Sequence, residues 1–314
     1  MRARAPMTRA LMLHALAAVL GVVVLAALVS CAGMVASGGS EAHAAAHPAA
    51  GRPESRRGDR AVWEVYALRY ATVPAFPLHE LVAGADTTRT VDIAMMFWLL
   101  KGPAGRRVLV DAGFYRQKFL DSWKLADFIR PSDAVRHFGL EPDSITDIIV
   151  SHVHWDHLDG VDLFPNARIW IQRAEFEHYV GQDGMPLDAA IDTLDAAMLA
   201  GLDKAGRVKR VNGDSREILP GIIAYTGGKH TFESQYVGVH TAQGTVVVAS
   251  DNAYLYENLD RHKAIAQTLD AKSNLKAQER MMKLASAWRL VVPGHDPAVF
   301  DHFKKAGPGA VKIE

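Results

Sequence analysis

His152-Val153-His154-Trp155-Asp156-His157 gathers three imidazoles and a carboxylate into six residues of a 314-residue chain that holds 14 histidines in all. On a helix, side chains two residues apart face opposite sides, whereas on an extended segment they face the same side. An extended chain therefore lets His152 and His154 share one ion, and Asp156 follows the same alternation. His157 must leave that face, so the chain has to turn, and Gly160 permits the turn. Imidazole nitrogen and carboxylate oxygen suit zinc, manganese or iron, and the absence of a thiolate argues against a structural zinc cluster.

Outward from the hexapeptide, β-branched or aliphatic runs stop at polar, turn-prone groups. Residues 107–110 lead to Asp111-Ala112-Gly113, 147–150 to Ser151-His152, 245–248 to Ala249-Ser250-Asp251, and 290–292 to Pro293-Gly294-His295. Residues 236–240 and 245–249 flank Thr241-Ala242-Gln243-Gly244 and are expected to pair as a hairpin. Helices are expected over 189–202 and 277–288. The amphipathic, aromatic stretch 117–130, stopped by Pro131, is expected to be a cap or ordinary surface packing. One mixed α/β domain over 61–314 is the economical reading.

The hexapeptide resembles the H-x-H-x-D-H motif of the metallo-β-lactamase superfamily. That resemblance implies an αββα sandwich with a dinuclear site at the sheet edge, and three further ligands downstream in the order His, Asp, His. The chain supplies His230, Asp251 in Ser250-Asp251-Asn252, and His295 in Pro293-Gly294-His295-Asp296. By the same resemblance, His152, His154 and His230 would hold one metal, Asp156, His157 and His295 the other, and Asp251 would bridge. Two divalent cations per chain are implied, with zinc first in rank. Gly227-Gly228-Lys229-His230 departs from the Gly-His pair of many members, and Lys229 is expected to point to solvent. Asp111 resembles the buried aspartate that orients a ligand histidine; a turn-forming Asp is the alternative. His79, His137, His178, His240, His262 and His302 lack ligand neighbours and are read as surface or core-edge groups.

Two such ions share and acidify a water, so that hydroxide attacks without a protein base, which suits ester, lactone, thioester or phosphoester cleavage. The β-lactamases of the superfamily usually lack the bridging carboxylate supplied here by Asp251. Glyoxalase II adds a C-terminal glutathione-gripping helical region, where only residues 296–314 follow His295. RNase Z adds a basic arm, which nothing here resembles. The chain is most similar to the N-acyl-homoserine lactonases, which carry a tyrosine three residues after the bridging aspartate, as Tyr254 follows Asp251. Tyr254 and Asp156 are the candidate catalytic residues, and a small-molecule lactone or ester is the implied substrate. For an acyl chain, Trp155, Phe114, Tyr115, Phe119, Trp123 and Phe128 are candidate lining, each equally readable as core. Other hydrolase substrates and a non-catalytic envelope metal-binding role stay open.

Basic and acidic residues balance at 35 each, which supplies no global field for a phosphate backbone, so no nucleic-acid partner is expected. Arg2, Arg4 and Arg9 precede an apolar run over 11–29, the order of an export signal, here assigned to 1–31. The run ends in Leu28-Val29-Ser30-Cys31, which resembles a bacterial lipobox, and Cys31 is the sole cysteine. A lipid on Cys31 would tether an exported protein at the envelope; cleavage after Ala42-His43-Ala44 or an uncleaved anchor are the alternatives. Residues 32–60, rich in Ala, Gly, Ser, Pro and Arg, read as a disordered tether containing His43 and His47.

Overall fold

A computed structural model describes residues 61–314. The expected export signal, lipobox and tether lie outside the described residues. Among the described residues, thirteen strands in chain order are β1 (Glu64–Pro77), β2 (Thr90–Lys101), β3 (Arg107–Val110), β4 (Asp147–Ile149), β5 (Arg168–Gln172), β6 (Val208–Val211), β7 (Arg216–Leu219), β8 (Ile222–Thr226), β9 (Gln235–Thr241), β10 (Gly244–Ser250), β11 (Val291–Pro293), β12 (Lys304–Gly307) and β13 (Ala310–Ile313). The helices are α1 (Gln117–Ser122), α2 (Pro131–His137), α3 (Trp155–Leu158), α4 (Arg173–Tyr179), α5 (Thr193–Lys204), α6 (Tyr256–Asp260), α7 (Ala271–Leu284) and α8 (Val299–His302).

The strands form an eight-stranded sheet, β12-β13-β1-β2-β3-β4-β5-β6, and a five-stranded sheet, β11-β10-β9-β8-β7. The period of two in β1 and β2 divides their side chains between two cores. Val65, Ala67, Met96 and Trp98 join Val237, Val239 and Val248 of the small sheet, while Tyr66, Leu68, Met95 and Phe97 join helices α2, α4 and α5 through Val135, Phe176 and Leu199. Ala277 and Met281 of α7 close the outer face of the small sheet. The layers therefore run helices, sheet, sheet, helix, the expected αββα sandwich. Large side chains such as Phe97 and Trp98 are fully buried, and each stabilises the sandwich by about 1.5–3 kcal/mol.

The hairpin of β9 and β10 pairs Thr241 with Gly244 across Ala242 and Gln243. The expected helices are displaced. Thr193–Lys204 begins after Asp192, whose carboxylate accepts the Leu194 N–H and fixes the start; Ala271–Leu284 begins after Asp270 in the same way. The stretch 117–130 is helical only over Gln117–Ser122, and Pro131 begins α2 rather than stopping a helix. Proline's fixed φ and missing N–H suit the first helical turn.

β3 and β4 run parallel, as do β10 and β11, and β8 and β10 share one direction because both run antiparallel to β9. The segments following β3, β4, β8, β10 and β11 consequently leave from the strands' carboxyl ends, and each begins with or soon reaches one of the predicted ligands or Asp111.

Candidate metal centre

His152 follows β4 and His154 caps α3 in an extended conformation, with φ −63° and ψ 146°. Asp156 and His157 lie on the single turn of α3, so the extended alternation stops at His154 and does not reach Asp156 as expected. The change from strand to helix rotates the second pair away from the first. His152, His154, His230 and Asp251 gather within 4.8 Å of one another, and Asp156, His157 and His295 form a second such group. Gly160 acts differently from expected: a Cβ there would stand 2.2 Å from the Ala112 carbonyl oxygen, so glycine is required for close packing rather than for the turn.

In the first group, His152 Nε2 is 3.1 Å from His154 Nδ1, His230 Nε2 is 3.1 Å from His152 Nε2, and His230 Nε2 is 3.0 Å from His154 Nδ1. Three nitrogens converge on one point, and protons cannot serve all three contacts at once. Nitrogens bound at about 2 Å in tetrahedral directions around zinc lie about 3.3 Å apart, so this donor set fits a cation. Asp251 spans the two groups, with Oδ2 3.4 Å from His230 Nε2 and 3.2 Å from His157 Nε2, and Oδ1 3.1 Å from His295 Nε2. His157 Nε2 and Asp251 Oδ1 are buried yet find no hydrogen-bond geometry among the described residues, despite those short separations. Buried polar atoms without partners are costly, and a cation would satisfy both. Asp156 Oδ2 stands 3.5 Å from His157 Nε2 and 3.7 Å from His295 Nε2.

The outward nitrogens of four of the five histidines are engaged. His230 Nδ1 donates to the Gln267 carbonyl at 2.8 Å, His295 Nδ1 to the Ala94 carbonyl at 3.1 Å, and His157 Nδ1 to Asp111 Oδ2 at 2.8 Å. His152 Nδ1 meets the Ser151 hydroxyl at 2.9 Å. Such bonds fix the tautomer and leave the inner nitrogen as a donor to metal. Asp111 is fully buried at φ +62°, and its carboxylate also accepts from the Ser151 N–H and the Ser151 and Ser250 hydroxyls. That is an orienting role, not a surface turn.

Burial, followed by the charges of its neighbouring imidazoles, drives His152 far below its ordinary pKa, and burial with His230 takes His154 down to about 3. Burial also disfavours charge on His157, but Asp251, Asp156 and Asp111 outweigh it and hold the ring well above the ordinary value. Desolvation would raise Asp251, yet His157 and His295 keep its carboxyl far below the carboxylate range.

Tyr254 is buried beside both groups, its ring centroid 5.7 Å from that of His230 and 5.8 Å from that of His295. Burial, then Asp251 and Asp156, raise its pKa well above 10, so it stays a neutral phenol able to donate a proton in a hydrogen bond. Of the expected apolar lining, Phe119 stacks on Trp155 at 4.6 Å and Trp123 lies 5.4 Å from it, all three half-buried. Phe114 is fully buried, and Phe128 packs against it at 6.0 Å. Tyr115 faces away: its hydroxyl donates to Asp162 at 2.9 Å and Arg130 covers its ring. Lys229 does not reach freely into solvent but turns back to the Phe232 carbonyl at 2.6 Å and to Glu233. His178 stacks on Phe232 at 4.0 Å and His262 pairs with Glu279 at 3.3 Å, consistent with their reading as surface groups.

The sequence pattern of the metallo-beta-lactamase superfamily matches residues 96–295. The chain belongs to that superfamily. It is 27% identical over 176 residues to an N-acyl homoserine lactonase of Bacillus thuringiensis, covering 55% of this chain and 64% of that one. It is 22% identical over 264 residues to the N-acyl homoserine lactonase AttM of Rhizobium johnstonii, covering 77% of this chain and 96% of that one. Among solved structures, a quorum-quenching N-acyl homoserine lactone lactonase superposes with a TM-score of 0.64 at 22% identity, over 77% of this chain and 96% of the other. AidC, a dizinc quorum-quenching lactonase solved with the product N-hexnoyl-L-homoserine, gives 0.57 at 18% identity over 81% and 95%. The superposed structures show the shared fold, and the chain spans less than two thirds of the length of the Bacillus relative, 64%.

Sequence reading missed Glu175 of α4. This carboxylate is fully buried, and desolvation, only partly offset by the hydroxyl and N–H groups around it, raises its pKa to about 7. It stands far from the hexapeptide in sequence and in no recognisable spacing to it.

Proposed function

We propose that the protein is a metal-dependent hydrolase that opens the lactone ring of N-acyl-homoserine lactones or similar lactones. The observation that carries this reading is the convergence of five histidines and two aspartates beside the buried phenol of Tyr254. His152, His154 and His230 would hold one divalent cation and Asp156, His157 and His295 a second, with Asp251 between them. Two zinc ions there would supply Lewis acidity toward a carbonyl oxygen and acidify water at neutral pH.

The protein's own groups would do the rest. The outward hydrogen bonds of His157, His230 and His295 fix the rings so that their inner nitrogens are aimed at the cation positions. Asp156 is ionised, because His157 and His295 outweigh the burial that opposes its charge, so it would offer a carboxylate to the second cation and accept a hydrogen bond from water beside it. Tyr254 would donate a hydrogen bond to the carbonyl oxygen, or to the ring oxygen as it departs, stabilising charge that grows only in the transition state. The half-buried faces of Phe119, Trp123 and Trp155 offer an apolar shelf next to His154 and Asp156 for an acyl chain.

The decisive experiment loads the purified chain with zinc, measures bound metal, and follows proton release with acyl-homoserine lactones of graded length, a β-lactam and a thioester. Two ions per chain and proton release with the lactones are expected; release with the thioester alone overturns the substrate assignment. An exported, lipid-tethered location belongs to the same proposal, since it would put the enzyme where diffusible lactones pass. Replacing Cys31→Ser should abolish labelling by radioactive fatty acid, and unchanged labelling would remove the tether.

A further inference from the structure

The two chain segments that bring the three-histidine group together come from different sheets. His152 and His154 follow β4 of the large sheet, and His230 follows β8 of the small one. Their inner nitrogens nevertheless meet at 3.0–3.1 Å. Something must hold two independent loops to that tolerance. Glu175, on α4, takes the Val153 N–H at 3.2 Å and the Thr231 hydroxyl at 2.6 Å on Oε1, and the Glu233 N–H at 2.6 Å on Oε2. Val153 lies between His152 and His154, and Thr231 directly follows His230. Tyr179, one turn further along α4, accepts the Phe232 N–H on its hydroxyl at 3.1 Å. The Glu175 carboxylate is fully buried, and among the described residues no cationic side chain is hydrogen-bonded to it, so its desolvation is opposed chiefly by donors from the two ligand loops.

We infer that Glu175 is a positioning residue for one metal of the pair: its carboxylate staples the His152–His154 loop to the His230 loop and so sets the geometry of the three-histidine site. The inference rests on the metallo-hydrolase reading. It is confined to one ion because the other ligands are aimed by different groups, His157 by Asp111 and His295 by the Ala94 carbonyl.

The test is zinc titration of the full chain against a chromogenic chelator, with thermal melting of the metal-free protein as the control. In Glu175→Gln the amide keeps an acceptor for Val153 and Thr231 but turns an N–H₂ group toward the Glu233 N–H; Thr231→Val removes one donor from the other side at nearly constant volume. Both variants should weaken one zinc ion by roughly 10–100-fold and leave the second unchanged, the range found when partners of metal ligands are altered. The double variant should lose less than the sum of the two, because both act on one contact. Unchanged affinity for both ions in Glu175→Gln and Thr231→Val overturns the inference, even if melting falls, since a purely structural residue would do only that. If Glu175→Gln fails to fold, the Thr231→Val titration decides by the same criterion. A parent chain that binds no zinc would instead sink the metallo-hydrolase reading itself.

Discussion

Replacing Asp111→Asn tests whether this carboxylate orients His157. Asparagine tolerates the φ of +62° that Asp111 adopts, so the backbone is not newly strained, and the volume is unchanged. What changes is one acceptor and the negative charge that faces His157. Oδ2 accepts from His157 Nδ1 at 2.8 Å and from the Ser250 and Ser151 hydroxyls at 2.8 and 2.9 Å, while Oδ1 accepts from the Ser151 N–H at 2.8 Å. With the amide nitrogen on the Oδ2 side, the two hydroxyls can rotate to accept, but His157 must release its Nδ1 proton. The proton then sits on Nε2, which faces Asp251 and Asp156, and the lone pair meant for a metal is gone. With the nitrogen on the Oδ1 side, the fixed Ser151 N–H loses its acceptor, at about 1–3 kcal/mol, and His157 is left donating to a neutral oxygen. Either orientation should weaken the zinc held by Asp156, His157 and His295 by about 10–100-fold, or roughly 1.4–2.7 kcal/mol. Chelator competition on the purified variant reads this directly, and melting of the metal-free chain separates it from simple destabilisation. Zinc affinity within twofold of the parent for both ions, in a variant that melts normally, would show that Asp111 does not orient a ligand.

Tyr254→Phe should lower lactone turnover by about 10²-fold with both zinc ions retained, since it removes a single donor to developing charge; equal turnover would take the phenol out of the mechanism. Gly160→Ala pushes a Cβ to 2.2 Å from the Ala112 oxygen and should cost about 3 kcal/mol in urea unfolding, with an unshifted midpoint speaking against the close packing. Asp195, fully buried, is raised to about 7 by desolvation and then by Asp159, against the opposing pull of Arg116. A raised carboxyl keeps its proton in the folded state where the unfolded chain has lost it. Stability should therefore fall as pH rises from about 4 to about 7, by up to about 4 kcal/mol from this group. Asp195→Asn, which keeps the acceptor for Arg116, should flatten that dependence in denaturant titrations; an identical pH profile would refute the assignment.

The features readable in the sequence are those whose cause is local. β10 with its hairpin, and the ends of β3, β4 and β11, announce themselves as apolar runs that stop at turn-prone residues, and the ligands stand at those stops. β1 and β2 carry the longest pairing in the fold, yet are hidden because both faces are covered: Val65 and Ala67 point to one core, Tyr66 and Leu68 to the other, so no polar alternation marks them. The same logic separates the site's two kinds of residue. The candidate ligands here are His and Asp at or soon after strand ends, which is a chemical signature along the chain. Their supports need no such signature: Gln267 and Ala94 act through main-chain oxygens, which any residue possesses, and Glu175 reaches the site only because α4 folds back over loops from two sheets. Asp111 falls between these cases, legible because its strand-end position coincides with its role. The residues that converge could therefore be picked out from sequence, whereas the constraints that give them one geometry arise only when the two sheets are brought face to face.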